Sequence, residues 1–125
     1  MEKEFIPYEQ ALALKELGFD EECFSFYNTN EMLILSEFLW KNSYSNGADI
    51  VAPTFAQAFR CFREKYGLYH AIGLDNSLEN DINCDYQIIN HSQSISESET
   101  DFKTYEEAEL ECLKKLIEIV KENKQ

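Results

Sequence analysis

The residue types best suited to catalysis in this sequence are imidazoles and thiols. The chain contains two histidines and four cysteines: His70, His91, Cys23, Cys61, Cys84 and Cys112. An imidazole beside a thiol can activate it as a nucleophile or share a metal ion with it. No CxxC, HExxH, GxSxG or P-loop pattern positions these groups in the sequence. We therefore predict no catalytic residue, no cofactor and no metal site, and an enzyme without a recognisable motif is our third functional hypothesis.

Residues 75–85 carry oxygen-bearing side chains at alternate positions, a spacing similar to that of a calcium-binding loop. The EF-hand pattern fails at two points, because Asn80 stands where the turn requires glycine and Tyr86 where a bidentate glutamate is required. The sequence therefore favours a solvated hairpin loop here over a metal site.

The cysteines also bear on the compartment. The first residues, Met1 to Glu4, mix charges of both signs and lack the cationic start and apolar centre of a signal peptide. No apolar run reaches the length of a membrane-spanning helix. We expect a cytoplasmic protein whose cysteines are reduced and buried.

The strongest compositional signal is acidity, with 24 acidic residues against 11 basic ones and a net charge of −13. Such a surface repels nucleic acid phosphates and anionic lipid headgroups. We therefore predict no direct binding to nucleic acid or membranes, and a protein partner instead.

Seven carboxylates form an acidic band, opposed locally only by Lys103: Glu97, Glu99, Asp101, Glu106, Glu107, Glu109 and Glu111. The favoured interpretation is solubility together with helix N-terminal electrostatics. The alternative is a mimic of the nucleic acid backbone that inhibits a DNA-binding protein. Among the aromatic residues, Trp40 and Tyr44 are interface candidates, because aromatic side chains near strand ends and in loops commonly anchor protein contacts.

Three helices are predicted to support these groups, at residues 7–17, 55–66 and 105–122. Gly18 and Gly67 supply helix stops, and Thr54 is a good N-cap for the second helix. The third has the strongest signature, because Thr104 and Glu107 have the spacing of a capping box.

Four main strands are predicted between the helices, at residues 22–29, 32–40, 68–74 and 86–90. Residues 50–53 read as a short extended segment, residues 75–85 and 92–99 as loops, and residues 101–103 as a brief extended piece. The predicted order is helix, hairpin, helix, hairpin, helix. The fold class is therefore α+β, with an antiparallel sheet of about four strands covered by helices in a single domain, residues 1–125.

The three predicted helices also carry a resemblance. Residues 6–20 (IPYEQALALKELGFD), 57–68 (QAFRCFREKYGL) and 104–118 (TYEEAELECLKKLIE) resemble small uncharacterised proteins encoded by Bacteroidetes and by their phages and mobile elements. The resemblance covers these three segments, about a third of the chain. It implies a bacterial cytoplasm and a phage or prophage gene, and it assigns no catalytic residue.

Our leading hypothesis is a small, non-enzymatic accessory domain that binds another protein. A homodimer is left open beside a foreign partner. An interaction module of this kind should expose a patch of large apolar side chains.

Overall fold

The computed structural model describes residues 2–44, 48–78, 81–90 and 95–123 of the chain. Two compact units are present, Met1–Gln57 and Ala58–Gln125. The helices are α1 (Tyr8–Glu16), α2 (Phe55–Tyr66) and α3 (Tyr105–Asn123), and the strands are β1 (Cys23–Tyr27), β2 (Leu33–Trp40), β3 (Ile50–Val51), β4 (Leu68–Leu78), β5 (Asp81–Asn90) and β6 (Ile95–Phe102). The predicted single domain over residues 1–125 stays a prediction.

The first unit is built on a small antiparallel sheet with the strand order β2-β1-β3. Alternate residues of β1 are buried, namely Cys23, Ser25 and Tyr27. Helix α1 buries Ala11 and Leu14, and Gly18 follows it with a φ of +96°. This left-handed conformation strongly favours glycine, which is why the helix ends where the sequence predicts.

The hydroxyl groups of Ser25 and Tyr27, which are buried in this unit, both donate hydrogen bonds to backbone carbonyls. The Ser25 hydroxyl donates to the carbonyl of Ala52 at 3.0 Å, and the Tyr27 hydroxyl donates to the carbonyl of Ile6 at 2.7 Å. An unpaired polar group in a core costs free energy, so these bonds favour one arrangement of strands and loops.

The β1–β2 turn is organised by Asn28. Its side-chain Oδ1 accepts from the backbone N–H groups of Asn30 and Met32, at 2.9 and 3.0 Å. Glu31 takes a positive φ of 60° and donates its N–H to the Asn28 carbonyl at 2.9 Å. The predicted hairpin is confirmed, with an asparagine supplying the turn chemistry.

The second unit contains an antiparallel sheet with the order β4-β5-β6, and α3 packs against all three strands. Alternate residues of β5 are buried, namely Cys84, Tyr86 and Ile88. The buried residues of α3 are Ala108, Cys112, Leu113, Leu116, Ile117 and Val120. The division between the two units falls within α2, after Gln57.

The Thr104 cap predicted for α3 is confirmed, but the reciprocal bond of the predicted capping box is displaced by one residue. The Glu107 N–H donates to the Thr104 hydroxyl at 3.1 Å, and the Glu107 carboxylate accepts from the Lys103 N–H at 3.3 Å. The reciprocal bond therefore reaches Lys103, one residue before the cap itself.

The α+β class is confirmed, but the predicted order and the single sheet of about four strands are wrong. The described residues form six strands in two three-stranded sheets. Residues 75–78 and 81–85, predicted as loop, belong to β4 and β5, and residues 95–99 belong to β6. Residues 79–80 and 92–94 of the predicted loops lie outside the described residues. The loop predictions failed because these polar strands are specified by backbone pairing with a neighbour and carry little apolar pattern.

Candidate functional site

The β1–β2 hairpin displays a concentration of exposed apolar side chains. Nine large apolar residues are exposed in the described part of the chain, and five of them lie between positions 24 and 39. These five come from the turn and from both faces of the two strands, and we refer to them together as the hairpin surface: Phe24, Met32, Leu35, Phe38 and Leu39. Single exposed apolar residues are ordinary, but several on one short hairpin make it the candidate contact region of the described residues.

Strand β2 carries three of these side chains and is one of the two edge strands of its sheet. Its pairing with β1 places Ile34 opposite Phe26 and Leu35 opposite Ser25. Leu35 remains 57 % exposed, whereas Ser25 is fully buried. The strand position therefore leaves a large apolar side chain beside the outer edge of the sheet.

Two further members, Phe38 and Leu39, lie in an irregular part of β2. The register changes between Ser25↔Leu35 and Cys23↔Trp40, so β2 contains extra residues relative to β1. The Ser36 hydroxyl accepts from the Phe38 N–H at 3.1 Å and from the Trp40 indole N–H at 2.8 Å. We call this segment the Ser36 bulge; it leaves the Phe38 side chain 73 % exposed.

The charge around the hairpin surface has one sign. Residues 16–40 contain no lysine, arginine or histidine, but they contain six carboxylates: Glu16, Asp20, Glu21, Glu22, Glu31 and Glu37. The Asp20 carboxylate accepts from the Ser43 N–H at 2.8 Å, and this bond holds the pKa of Asp20 below its usual range. The hairpin surface is thus apolar, and the charged residues next to it in the sequence, from position 16 to 40, are all acidic.

The two aromatic interface candidates differ in their placement. Trp40 is partly buried at the end of β2, with its ring 5.5 Å from that of Phe26, so it supports the hairpin. Tyr44 is exposed, and the Lys41 ammonium lies 6.0 Å from its ring centre. The sequence predicted the strand carrying the hairpin surface but not which side chains are exposed, because a run such as LILSEFLW also fits a buried strand.

The acidic band has local cationic partners. Lys115 lies 3.8 Å from Glu97, and Lys114 lies 3.0 Å from Glu111. Glu99 accepts a hydrogen bond from the Tyr86 hydroxyl at 3.1 Å. Burial, followed by this contact with Glu99, raises the pKa of Tyr86. These side chains line a shallow groove of about 350 Å³.

The remaining band residues lie near the start of α3. Glu106 and Glu107 are in its first turn, and Glu107 belongs to the capping box. Glu109 is partly buried, and burial together with the nearby Glu106 carboxylate raises its pKa. Asp101 has a positive φ of 74° in β6. Whether the band mimics nucleic acid stays a prediction.

The described histidine and cysteine side chains considered for catalysis lie among packed residues. His70 stacks on Phe59 with ring centres 3.7 Å apart, and burial followed by the charge of Arg63 lowers its pKa. His91 lies outside the described residues. All four cysteines are buried, and burial raises the pKa of Cys23 and of Cys112 to about 12. Thiolate nucleophiles are therefore scarce at these two positions at neutral pH.

No group of three or more His, Cys, Asp or Glu side chains is arranged to hold a metal ion in residues 2–44, 48–78, 81–90 and 95–123. None of the helices described over those ranges combines the length and apolar character needed to cross a membrane.

No protein-family model, no curated protein and no solved structure matches the chain.

Proposed function

We propose that this protein is a non-enzymatic accessory module that binds another protein through the hairpin surface. The observation that carries the proposal is the concentration of five exposed, large apolar side chains between Phe24 and Leu39. Exposed apolar clusters on a folded domain are typical of interaction sites. The resemblance of the three helices to proteins of Bacteroidetes and their phages supports a bacterial setting for this role.

The energetic argument concerns the free energy gained when these side chains leave water. Burying a fully exposed phenylalanine or leucine contributes about 1.5–3 kcal/mol. Phe24 and Phe38 are 65 % and 73 % exposed, so most of that contribution is available to a partner. Large side chains near the centre of a contact usually dominate its binding energy.

The test compares proteins captured from a bacterial lysate by three immobilised forms of the chain. The first is the unmodified protein, and the second is the double variant Leu35→Ser/Phe38→Ser. The matched control is Leu74→Ser/Tyr105→Ser, which removes two exposed apolar side chains from the second unit. Circular dichroism of each form checks that the fold is retained.

We expect a protein that is captured by the unmodified chain and by the control but is lost with the hairpin variant. Loss of capture should be at least about tenfold, because two central apolar contacts are removed. Capture that is equal for all three forms, or no specific capture by any of them, would contradict the proposal.

A further inference from the structure

We infer that the partner presents an extended segment with lysine or arginine at both ends of an apolar stretch, and that this segment adds as a strand to the outer edge of β2. The inference rests on the proposed function and specifies the partner's chemistry. Three features of the hairpin carry it: the backbone of β2, the side chains of the hairpin surface and the surrounding charge.

The first feature is the direction of the backbone groups. The Ser25 carbonyl accepts from the Ala52 N–H at 2.9 Å, so the backbone of Ser25 faces the β3 side of β1. Because successive residues of a strand alternate, the backbone of Phe26 faces β2 and that of its partner Ile34 faces β1. The N–H and C=O groups of Leu33 and Leu35 therefore point to the outer edge of the sheet.

No described strand pairs with that outer side of β2. A backbone edge of this kind is a template for a further strand, which gains main-chain hydrogen bonds and places alternate side chains against its neighbours. Leu35 and Phe38 are exposed along the same strand, so apolar side chains of the added segment would contact them.

The carboxylates beside the β2 edge determine which partner segment would bind there. Glu31 and Glu37 are both exposed and flank the Leu33–Leu35 edge on its two sides. Glu31 lies in the turn just before β2, and Glu37 lies in the Ser36 bulge. A partner segment with a cationic residue at each end of a short apolar stretch would place both cations near these carboxylates.

The same charge disfavours a second copy of the chain as the occupant. Pairing two β2 edges would bring two hairpins together, each carrying Glu31 and Glu37 and no cationic residue between Cys23 and Trp40. Like charges placed across an interface oppose association. A segment of another protein that carries lysine or arginine would instead be attracted to these carboxylates.

The experiment selects binders from a displayed library of random twelve-residue peptides, using the complete chain as bait. We expect enriched peptides that carry lysine or arginine on both sides of large apolar residues. Affinity of the best synthetic peptide is then measured by fluorescence anisotropy at low and high NaCl. Binding should weaken with salt, and with N-methylation of alternate backbone amides, because strand addition needs those N–H groups.

Matched variants locate the contact. Glu31→Gln/Glu37→Gln should weaken binding at least about tenfold, while Glu64→Gln/Glu122→Gln, with the same change in net charge, should leave it within about twofold. Leu35→Ser/Phe38→Ser should abolish it. Concentration-dependent sedimentation of the unmodified chain without peptide would instead identify a second copy as the occupant and overturn the inference.

The inference also fails if no peptide is enriched, if enriched peptides lack cationic residues, or if N-methylation leaves affinity unchanged.

Failure of this inference is distinguishable from failure of the proposed function. If lysate capture depends on Leu35 and Phe38 while the peptides are neutral, the module still binds a protein and only the partner chemistry is wrong. If lysate capture is indifferent to those residues, the proposed function itself fails.

Discussion

At the scale of single residues, Asn42 has a larger structural role than its polar side chain suggests. It is buried in a short 3-10 turn, Asn42–Tyr44, that follows β2. Its side-chain amide donates to the Phe19 carbonyl at 2.8 Å, and its Oδ1 accepts from the Val51 N–H at 3.0 Å. One side chain thus connects the segment after α1 to the short strand β3.

Replacing Asn42 with alanine should lower the free energy of unfolding by about 2–4 kcal/mol, because a buried carbonyl and a buried N–H both lose their partner. The measurement is the urea midpoint followed by circular dichroism. The control is Asn30→Ala, which alters an exposed turn side chain and should change stability by less than about 0.5 kcal/mol. Equal midpoints for the two variants would contradict this role of Asn42.

At the scale of elements, α3 shows how local sequence and tertiary packing combine. Its start is specified by Thr104 and Glu107, whereas its buried face is stabilised by packing on β4, β5 and β6. A helix of 19 residues gains most of its stability from such packing, so the cap should contribute a modest and separable amount.

The variant Thr104→Ala should lower stability by about 1 kcal/mol, because the Glu107 N–H loses its side-chain acceptor. Thr100→Ala is the matched control, since Thr100 is exposed in β6, and its effect should be smaller. Thermal unfolding curves measure both. If Thr104→Ala lowers stability no more than Thr100→Ala does, the cap does not contribute to stability.

The elements differ in how far the sequence predicts them, for physical reasons. Helices α1, α2 and α3 carry their own start and stop signals, such as Gly18 and the Thr104 cap, so they were predicted within a few residues. Strand β6, with the sequence ISESETDF, is polar at every position between its two ends and is specified by its pairing with β5. Local sequence contains little of that information.

The candidate site was predicted in part for a similar reason. The hairpin that carries it was found, and Trp40 belongs to it, but the five residues of the hairpin surface were not singled out. Exposure depends on the strand order β2-β1-β3, which places β2 outermost, and on the Ser36 bulge. Both are tertiary properties that an apolar run does not reveal.

At the scale of the whole molecule, negative charge is spread over both units. Residues 1–57 contain ten acidic and three basic residues, and residues 58–125 contain fourteen and eight, giving −7 and −6. Each unit therefore carries its own excess of like charge. Such an excess keeps a protein soluble but opposes the compact state through self-repulsion.

Raising NaCl from 10 to 500 mM should increase the thermal midpoint by about 3–8 °C, because salt shortens the range of the repulsion between carboxylates. KCl at the same ionic strength should have the same effect, since screening depends on ionic strength. Scanning calorimetry at neutral pH makes the comparison. A midpoint that is constant or falls with salt would show that the exposed ion pairs outweigh the repulsion.

The Ser36 bulge has a consequence for fibril formation. An outer strand with several large apolar side chains is the usual starting point for cross-β stacking, in which copies add without limit. The bulge interrupts the flat edge after Leu35, and Glu37 places a carboxylate within it. The edge left open is long enough to receive one short strand but too short and too charged to propagate an amyloid-like array.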